Sequence, residues 1–323
     1  MVEAVTLENI EHLAIGSAFL GTGGGGDPYL GSLLCREALA EYGPVKLADP
    51  AELTHSDSVF VAAAMGAPTV MLEKLFSLED QDRAVRSLEQ RLGCQASVIT
   101  SAEIGGCNSM MPVAYAAMRG LPLLDGDGMG RAFPQLQMTS FNIAGVAVAP
   151  MTLADEHGNV VTFEAENGKK AEEFARPVVA VMGAAGCLSC YPMTGAQARK
   201  ASVRYTISAA IEIGQAIAGA AYGDLPPIER LLRALDDHQR CIGPHGGKRP
   251  RVGGGRLQVR GAVEDQHRQI MRCDQLGRLL PEHAAEEALH LRGEQRHECG
   301  MHPGSGNALA RPQLSDDRVD LGQ

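Results

Sequence analysis

The sequence predicts an α/β fold: a parallel or mixed sheet flanked by helices, followed by a second α+β domain that reads as incomplete. Three observations carry this. A strand pattern at 96–100, a helical pattern at 109–118 and a second strand at 121–124 have the length and order of a βαβ unit, which sets the two strands parallel. Glycine clusters at 21–26, 105–106 and 126–130 fall at junctions between elements, where the backbone must turn sharply. Gly158-Asn159 lies between two β-like runs, 146–154 and 160–165, as a hairpin turn does.

Taken in order, Thr6 is placed to cap a helix with Leu7, Ile10, Leu13, Ala14 and Ala18 on one face and Glu8 and Glu11 in its first turn. This helix runs into Gly21-Thr22-Gly23-Gly24-Gly25-Gly26-Asp27-Pro28, and a second helix over 29–42 is closed by Gly43-Pro44. Residues 58–64, Ser-Val-Phe-Val-Ala-Ala-Ala, read as a buried strand. An amphipathic helix over 80–92 ends at Gly93. Beyond the βαβ unit and the hairpin, a short helix is expected over 172–176 and a strand over 178–182. One long helix over 196–220 then packs through Ile207, Ile211, Ile213 and Ile217. No internal repeat is present. The chain divides into an N-terminal α/β domain at 1–167, the start of a C-terminal domain at 168–237, and an atypical tail at 238–323.

The tail stands apart by composition. All the aromatic residues lie at or before Tyr222, and the run from Gly243 to Gly255 carries neither helical nor strand periodicity. Aromatic side chains supply much of a core's buried area, so a stretch without them is a poor candidate for a packed domain. The tail is either a basic, His-rich interaction segment or a shifted reading frame in a GC-rich gene. The second is preferred, because a frame shift enriches Arg, Gly, His and Pro together. His283, His290, His297, Cys299 and His302 are therefore assigned no metal.

Charge narrows the classes of partner. The net charge is −10, without the Lys/Arg clusters that a phosphate backbone requires, so nucleic acid is not expected as a partner. No apolar run reaches the length needed to span a bilayer. The start Met1-Val2-Glu3-Ala4 lacks the basic and apolar regions of a signal peptide, and the cysteines follow no disulfide framework. The expectation is a cytoplasmic protein acting on a small molecule as a homo-oligomer, with no membrane partner.

Two glycine-acid clusters could carry chemistry. The loop Thr22, Gly23, Gly24, Gly25, Gly26, Asp27 can bring its amides close to a ligand at the start of the following helix, or can serve only as a turn. It lacks the Gly-Lys-Ser/Thr of a phosphate loop and follows a helix, so a dinucleotide fingerprint does not fit. Glu103-Ile104-Gly105-Gly106-Cys107-Asn108 follows one strand of the βαβ unit, and Asp125-Gly126-Asp127-Gly128-Met129-Gly130-Arg131 follows the next. Carboxylates at neighbouring strand ends face one crevice in a parallel sheet. Glu103, Asp125 and Asp127 are therefore the candidate acid/base groups, with Glu103 and Asp127 as the pair that could hold a divalent metal such as zinc. Arg131 could neutralise charge, and Asn108 could orient a ring through its amide. Asp125 and Asp127 could equally be turn-formers. Asp155-Glu156-His157 is a weaker candidate, more easily read as a solvated turn. The lone Cys187-Leu188-Ser189-Cys190 pair is weak evidence for zinc or redox work, and His12 on a helix reads more easily as a surface or capping residue.

These segments together, with Ala154-Asp155-Glu156-His157-Gly158-Asn159 and Tyr191-Pro192-Met193-Thr194-Gly195, resemble the S-methyl-thiohydantoin desulfurase-like family, which is associated with hydantoinases. The resemblance spans the N-terminal two-thirds, roughly residues 5–237. It implies an N-terminal α/β domain followed by a C-terminal domain containing β structure. It also implies hydrolytic chemistry at a five-membered cyclic amide, with loss of a thiol or opening of the ring. A non-catalytic binding protein or subunit, or an inactive truncated product, is the alternative.

Overall fold

The computed structural model describes residues 2–242, apart from 68, 69, 71, 72 and 75. The predicted tail lies, beyond residue 242, outside the described residues. Nine strands form one mixed sheet among the described residues. They are β1 (Ala4–Val5), β2 (Val45–Ala48), β3 (Ser58–Gly66), β4 (Val98–Ser101), β5 (Leu123–Asp127), β6 (Met151–Ala154), β7 (Val160–Phe163), β8 (Ala185–Thr194) and β9 (Val203–Arg204). The order across the sheet is β1-β2-β5-β4-β3-β8-β6-β7, with β9 added alongside β5. β2, β5, β4 and β3 run parallel, whereas β8, β6 and β7 continue the sheet antiparallel. The predicted βαβ unit is the β4–β5 pair, joined through the helix Cys107–Arg119.

Local sequence explains most helix ends. The helices are α1 (Ile10–Gly21), α2 (Pro28–Tyr42), α3 (Leu78–Leu92), α4 (Cys107–Arg119), α5 (Ser140–Ile143), α6 (Gly168–Val181), α7 (Gly195–Ala201), α8 (Thr206–Ala218) and α9 (Pro227–Ile242). Asp27 caps α2 by accepting the Tyr29 amide at 2.8 Å, and Pro28 takes the first helical position, where its missing N–H costs nothing. Ser77 caps α3, and Gly93 ends it in the left-handed conformation. Thr194 and Gln197 form a reciprocal capping box at the start of α7.

Four expectations are corrected. α1 begins at Ile10, because Thr6 instead organises the preceding turn, its amide bonding the Asn9 side chain at 2.8 Å and its hydroxyl accepting the Glu8 amide. β6 begins only at Met151, since Pro150 has no N–H to enter a ladder. The expected strand at 178–182 is the last part of α6, which buries Ala171, Ala175 and Val179 at helical spacing. The expected long helix at 196–220 is α7, β9 and α8, broken where Tyr205 takes a left-handed φ of 63° and β9 pairs with β5.

The sheet is covered on both faces. Phe60, Ile99 and Leu123 pack with Ile10, Leu13, Leu39, Leu88, Val113 and Ile211 on one side. Val59, Val61, Val98 and Leu124 pack with Phe141, Ala171, Ala175 and Val179 on the other. Alternation along the strands therefore fixes which face each polar residue at a strand end must occupy.

Candidate functional site

Three connections meet near the carboxyl ends of the parallel strands: the glycine loop before α2, the turn between β4 and α4, and the segment after β5. The first two interlock through glycines. A Cβ at Gly25, where φ is +79°, would stand 2.0 Å from the Gly105 carbonyl oxygen. One at Gly106, where φ is +58°, would stand 2.2 Å from the Gly26 carbonyl oxygen. Both positions accept only hydrogen. The third connection closes on them, since a Cβ at Gly105 would lie 2.6 Å from that of Ala132. The loop's own carbonyls cap α4: Cys107 N–H donates to Gly26 at 3.3 Å and Asn108 N–H to Gly25 at 3.0 Å. Thr22 ends α1 in the left-handed conformation and Asp27 caps α2. The expected ligand-contact loop thus also welds three helix ends together.

Glu103 sits inside this junction, 4 % exposed. Its Oε1 accepts Asn108 Nδ2 at 2.6 Å and its Oε2 accepts the Phe133 backbone N–H at 2.8 Å. Burial disfavours the charge more than these two donors favour it, and its pKa is pushed up to about 7. Asn108 is the second member. Its Oδ1 accepts the Ala64 amide at 2.8 Å, and Nδ2 donates to the Ala64 carbonyl at 3.2 Å as well as to Glu103. Both amide hydrogens are therefore engaged within the protein, and the edge expected to orient a ring is already in use.

The two aspartates lie on β5 itself rather than in the loop beyond it, and they face α8. Asp125 accepts the Ser208 amide at 3.0 Å and the Ser208 hydroxyl at 2.6 Å, a cap for the first turn of α8. Asp127 is fully buried and folds back on its own turn, accepting the amides of Met129 at 3.1 Å and Gly130 at 2.8 Å. Desolvation drives its pKa up to about 7 against the hydrogen bonds from Gly130, Met129 and Ile104. The Ile104 amide also favours the ionised form of Asp127, and Ile104 directly follows Glu103 in the chain. The buried Thr206 hydroxyl is close enough to favour the ionised form of Asp127, yet it completes no hydrogen bond. Arg131 is half-buried and already engaged.

The fit to a metal is poor. Among the described residues no group of three or more His, Cys, Asp or Glu side chains is arranged to hold an ion. Both oxygens of Glu103 and of Asp127 already accept N–H donors, an environment built for a carboxyl group rather than a cation. The weaker candidates resolve similarly. Asp155 accepts the amides of His157 and Asn159 at the hairpin tip, and Glu156 pairs with Lys74. Cys187 and Cys190 lie three apart on β8, hence on opposite faces, and burial pushes both thiols up, as suits packed, protonated side chains. His12 lies on α1, half-buried.

The partners missed from sequence are the Ala64 peptide group, the Phe133 amide and Ser208. Ser208 lies inside the first turn of α8, whose N-cap is Tyr205, so its position carries no cap signal of its own. The other two act through backbone groups that side-chain patterns do not reveal.

A mixed α/β sheet with a carboxyl group at the ends of its parallel strands defines the class. The chain belongs to the S-Me-THD-like family: the N-terminal domain of that family matches residues 8–165 and its C-terminal domain matches 166–284. The likeness therefore covers both domains rather than the N-terminal two-thirds alone, and it runs past the break in composition at 238. The chain is similar to a crystal structure of a protein from Chromobacterium violaceum, with a TM-score of 0.62 and 27 % identity over 73 % of this chain and 67 % of that one. No curated protein matches. No described helix is long and apolar enough to cross a membrane.

Proposed function

We propose that the chain is a hydrolase acting on a small five-membered cyclic amide of the thiohydantoin or hydantoin type, with Glu103 as the group that activates water. The observation that carries this is Glu103 itself: a buried carboxyl at the parallel strand ends, held by two N–H donors and titrating at about 7. A base poised near neutrality is half ionised where the reaction runs, the condition for efficient proton transfer in both directions. Membership of the S-Me-THD-like family supports this substrate class.

Glu103 carboxylate takes a proton from water as the water oxygen bonds to the ring carbon that bears the S-methyl group. The carbon–sulfur bond then breaks, and the proton passes from Glu103 to the departing sulfur. One water is consumed, and the products are the hydantoin and methanethiol. Negative charge developing on the ring falls to the glycine-loop amides and Arg131. Asp127, closed on its own turn, holds the segment that presents the Phe133 amide.

The test is turnover of an S-methyl-thiohydantoin and of a hydantoin by the full chain, following thiol release and ring opening. Either product supports the reading. Thermal stabilisation by these compounds without product overturns it in favour of a binding protein, and neither response overturns both.

A further inference from the structure

We infer that Asn108 is a positioning residue: its side-chain amide binds the Ala64 peptide group as one more strand would, and so fixes from the end of β3 where the Glu103 carboxyl points. The geometry is specific. Oδ1 accepts the Ala64 N–H at 2.8 Å and Nδ2 returns a bond to the Ala64 carbonyl at 3.2 Å, the two-way exchange that neighbouring strands make. The remaining Nδ2 hydrogen reaches Glu103 at 2.6 Å. Rotation of the amide about its last bond would break all three contacts at once, because oxygen would then face both the Ala64 carbonyl and the carboxylate. Asn108 is itself 8 % exposed and sits in the first turn of α4, whose start is held by the carbonyls of Gly25 and Gly26. The Glu103 carboxyl is thus tied at one oxygen to β3 through Asn108, and at the other to the segment after β5 through Phe133.

Side-chain length and hydrogen-bonding pattern explain why asparagine stands here. Glutamine would carry the amide past the Ala64 peptide. Aspartate would set oxygen against the Ala64 carbonyl and a second charge against Glu103. Serine cannot bridge all three groups. A residue that only filled space would not need this donor and acceptor pattern.

The inference rests on Glu103 as the working group, but its test does not require turnover. In the full chain carrying isotope-labelled glutamate and asparagine, the Asn108 side-chain N–H signals should move with the Glu103 carboxyl signal through one titration near neutral pH. They should lose that transition in Glu103→Gln. Asn108→Ala should raise the pH of the Glu103 transition by about one pH unit, the scale on which one hydrogen bond to a carboxylate acts; Asn108→Ser serves if Ala does not fold. Ser109→Ala is the control. Its hydroxyl is equally buried on the same helix but bonds Ser17 and Gly106, so it should lower the melting temperature and leave Glu103 alone. Asn108 signals that ignore the Glu103 titration, or an unmoved Glu103 in Asn108→Ala, would overturn the inference even if the enzyme turns over. A shifted Glu103 in a chain that turns nothing over would leave the inference standing and remove the proposed reaction.

Discussion

The chain contains two acidic glycine turns built on the same local plan, and they hold protons in opposite ways. After β5, Asp127 accepts the amides two and three residues on, from Met129 and Gly130. After β6, Asp155 accepts the amides two and four residues on, from His157 and Asn159. Yet Asp127 is pushed up to about 7, whereas Asp155 is held below its ordinary value. The hydrogen bonds favour the charge in both places. What differs is depth. Asp127 lies in the sheet interior beneath α8, and desolvation wins. Asp155 is covered by its own turn at a hairpin tip with little protein beyond it. Its desolvation is overtaken by the bonds from Asn159 and His157. A carboxylate-glycine turn is therefore a chemical opportunity only where the fold buries it.

The largest effect expected from this contrast is on turnover. Glu103→Gln should lower it by about a hundredfold or more, the scale of losing a general base, with little net change in stability, because the new NH2 faces one of the two N–H donors while the cost of a buried charge is relieved. Asp127→Asn should act differently. The buried oxygens that accept Met129, Gly130 and Ile104 are part of the frame, so a loss of roughly 2 kcal/mol of stability is expected alongside any loss of rate. The same change at Asp155 should cost less than half of that. Equal losses at Asp127 and Asp155 in chemical denaturation would break the depth argument, and near-normal turnover in Glu103→Gln would remove Glu103 from the chemistry.

The glycines at the two places differ in depth in the same way. Gly25→Ala forces a methyl into the Gly105 carbonyl at a positive φ, and a loss of roughly 2–5 kcal/mol is expected. Gly158→Ala, at φ +84° with nothing within 4 Å, should lose only the conformational part, about 1 kcal/mol. Melting curves of the pair check this. Matching losses would mean that the interlock at the parallel strand ends is looser than its geometry.

The pH dependence of stability is the most diagnostic effect. Glu103 rises from 4.5 to about 7 on folding and Asp127 from 3.8 to about 7, so the folded chain keeps protons that the unfolded chain releases. Stability from these groups should therefore fall as pH rises from about 4 to 7, by at most roughly 3 kcal/mol for Glu103. Asp155 has the opposite sign: its contribution is complete above 3.8 and disappears as pH falls through its lowered value. Denaturation midpoints across pH should show the first slope flattened in Glu103→Gln. A slope that survives Glu103→Gln and Asp127→Asn together would place the buried protons elsewhere.

The sequence made the parallel unit legible because its signals are local. Asp27, Ser77, Gly43 and Gly93 mark helix ends by their own side chains or lack of them. The adjacency of the glycine loop to Glu103 was legible only as a convergence of strand ends. What could not be read was set by distant partners. Val178, Val179 and Val181 look like a strand until Ala171 and Ala175 are seen to share a buried face with Val179. Nothing local in 196–220 foretells that Val203 pairs with Asp127 across the sheet. The burial that lifts Asp127 to about 7 is likewise invisible in a Gly-Asp-Gly string, because α8 supplies its cover from far along the chain.

The position of β8 also has a consequence for how the molecule comes into being. β8 lies between β3 and β6, and the Ser189 hydroxyl bonds the Val61 carbonyl across 128 residues. During synthesis, β3 and β6 both leave the ribosome before the strand that joins them. Until residues 185–194 emerge, the nascent chain holds two half-sheets with facing unpaired edges. The parallel half can condense early around its local βαβ contacts, but the middle of the sheet closes only after β8 has emerged. The interval between those events is when this chain is most exposed to pairing with a neighbour's edge instead of its own.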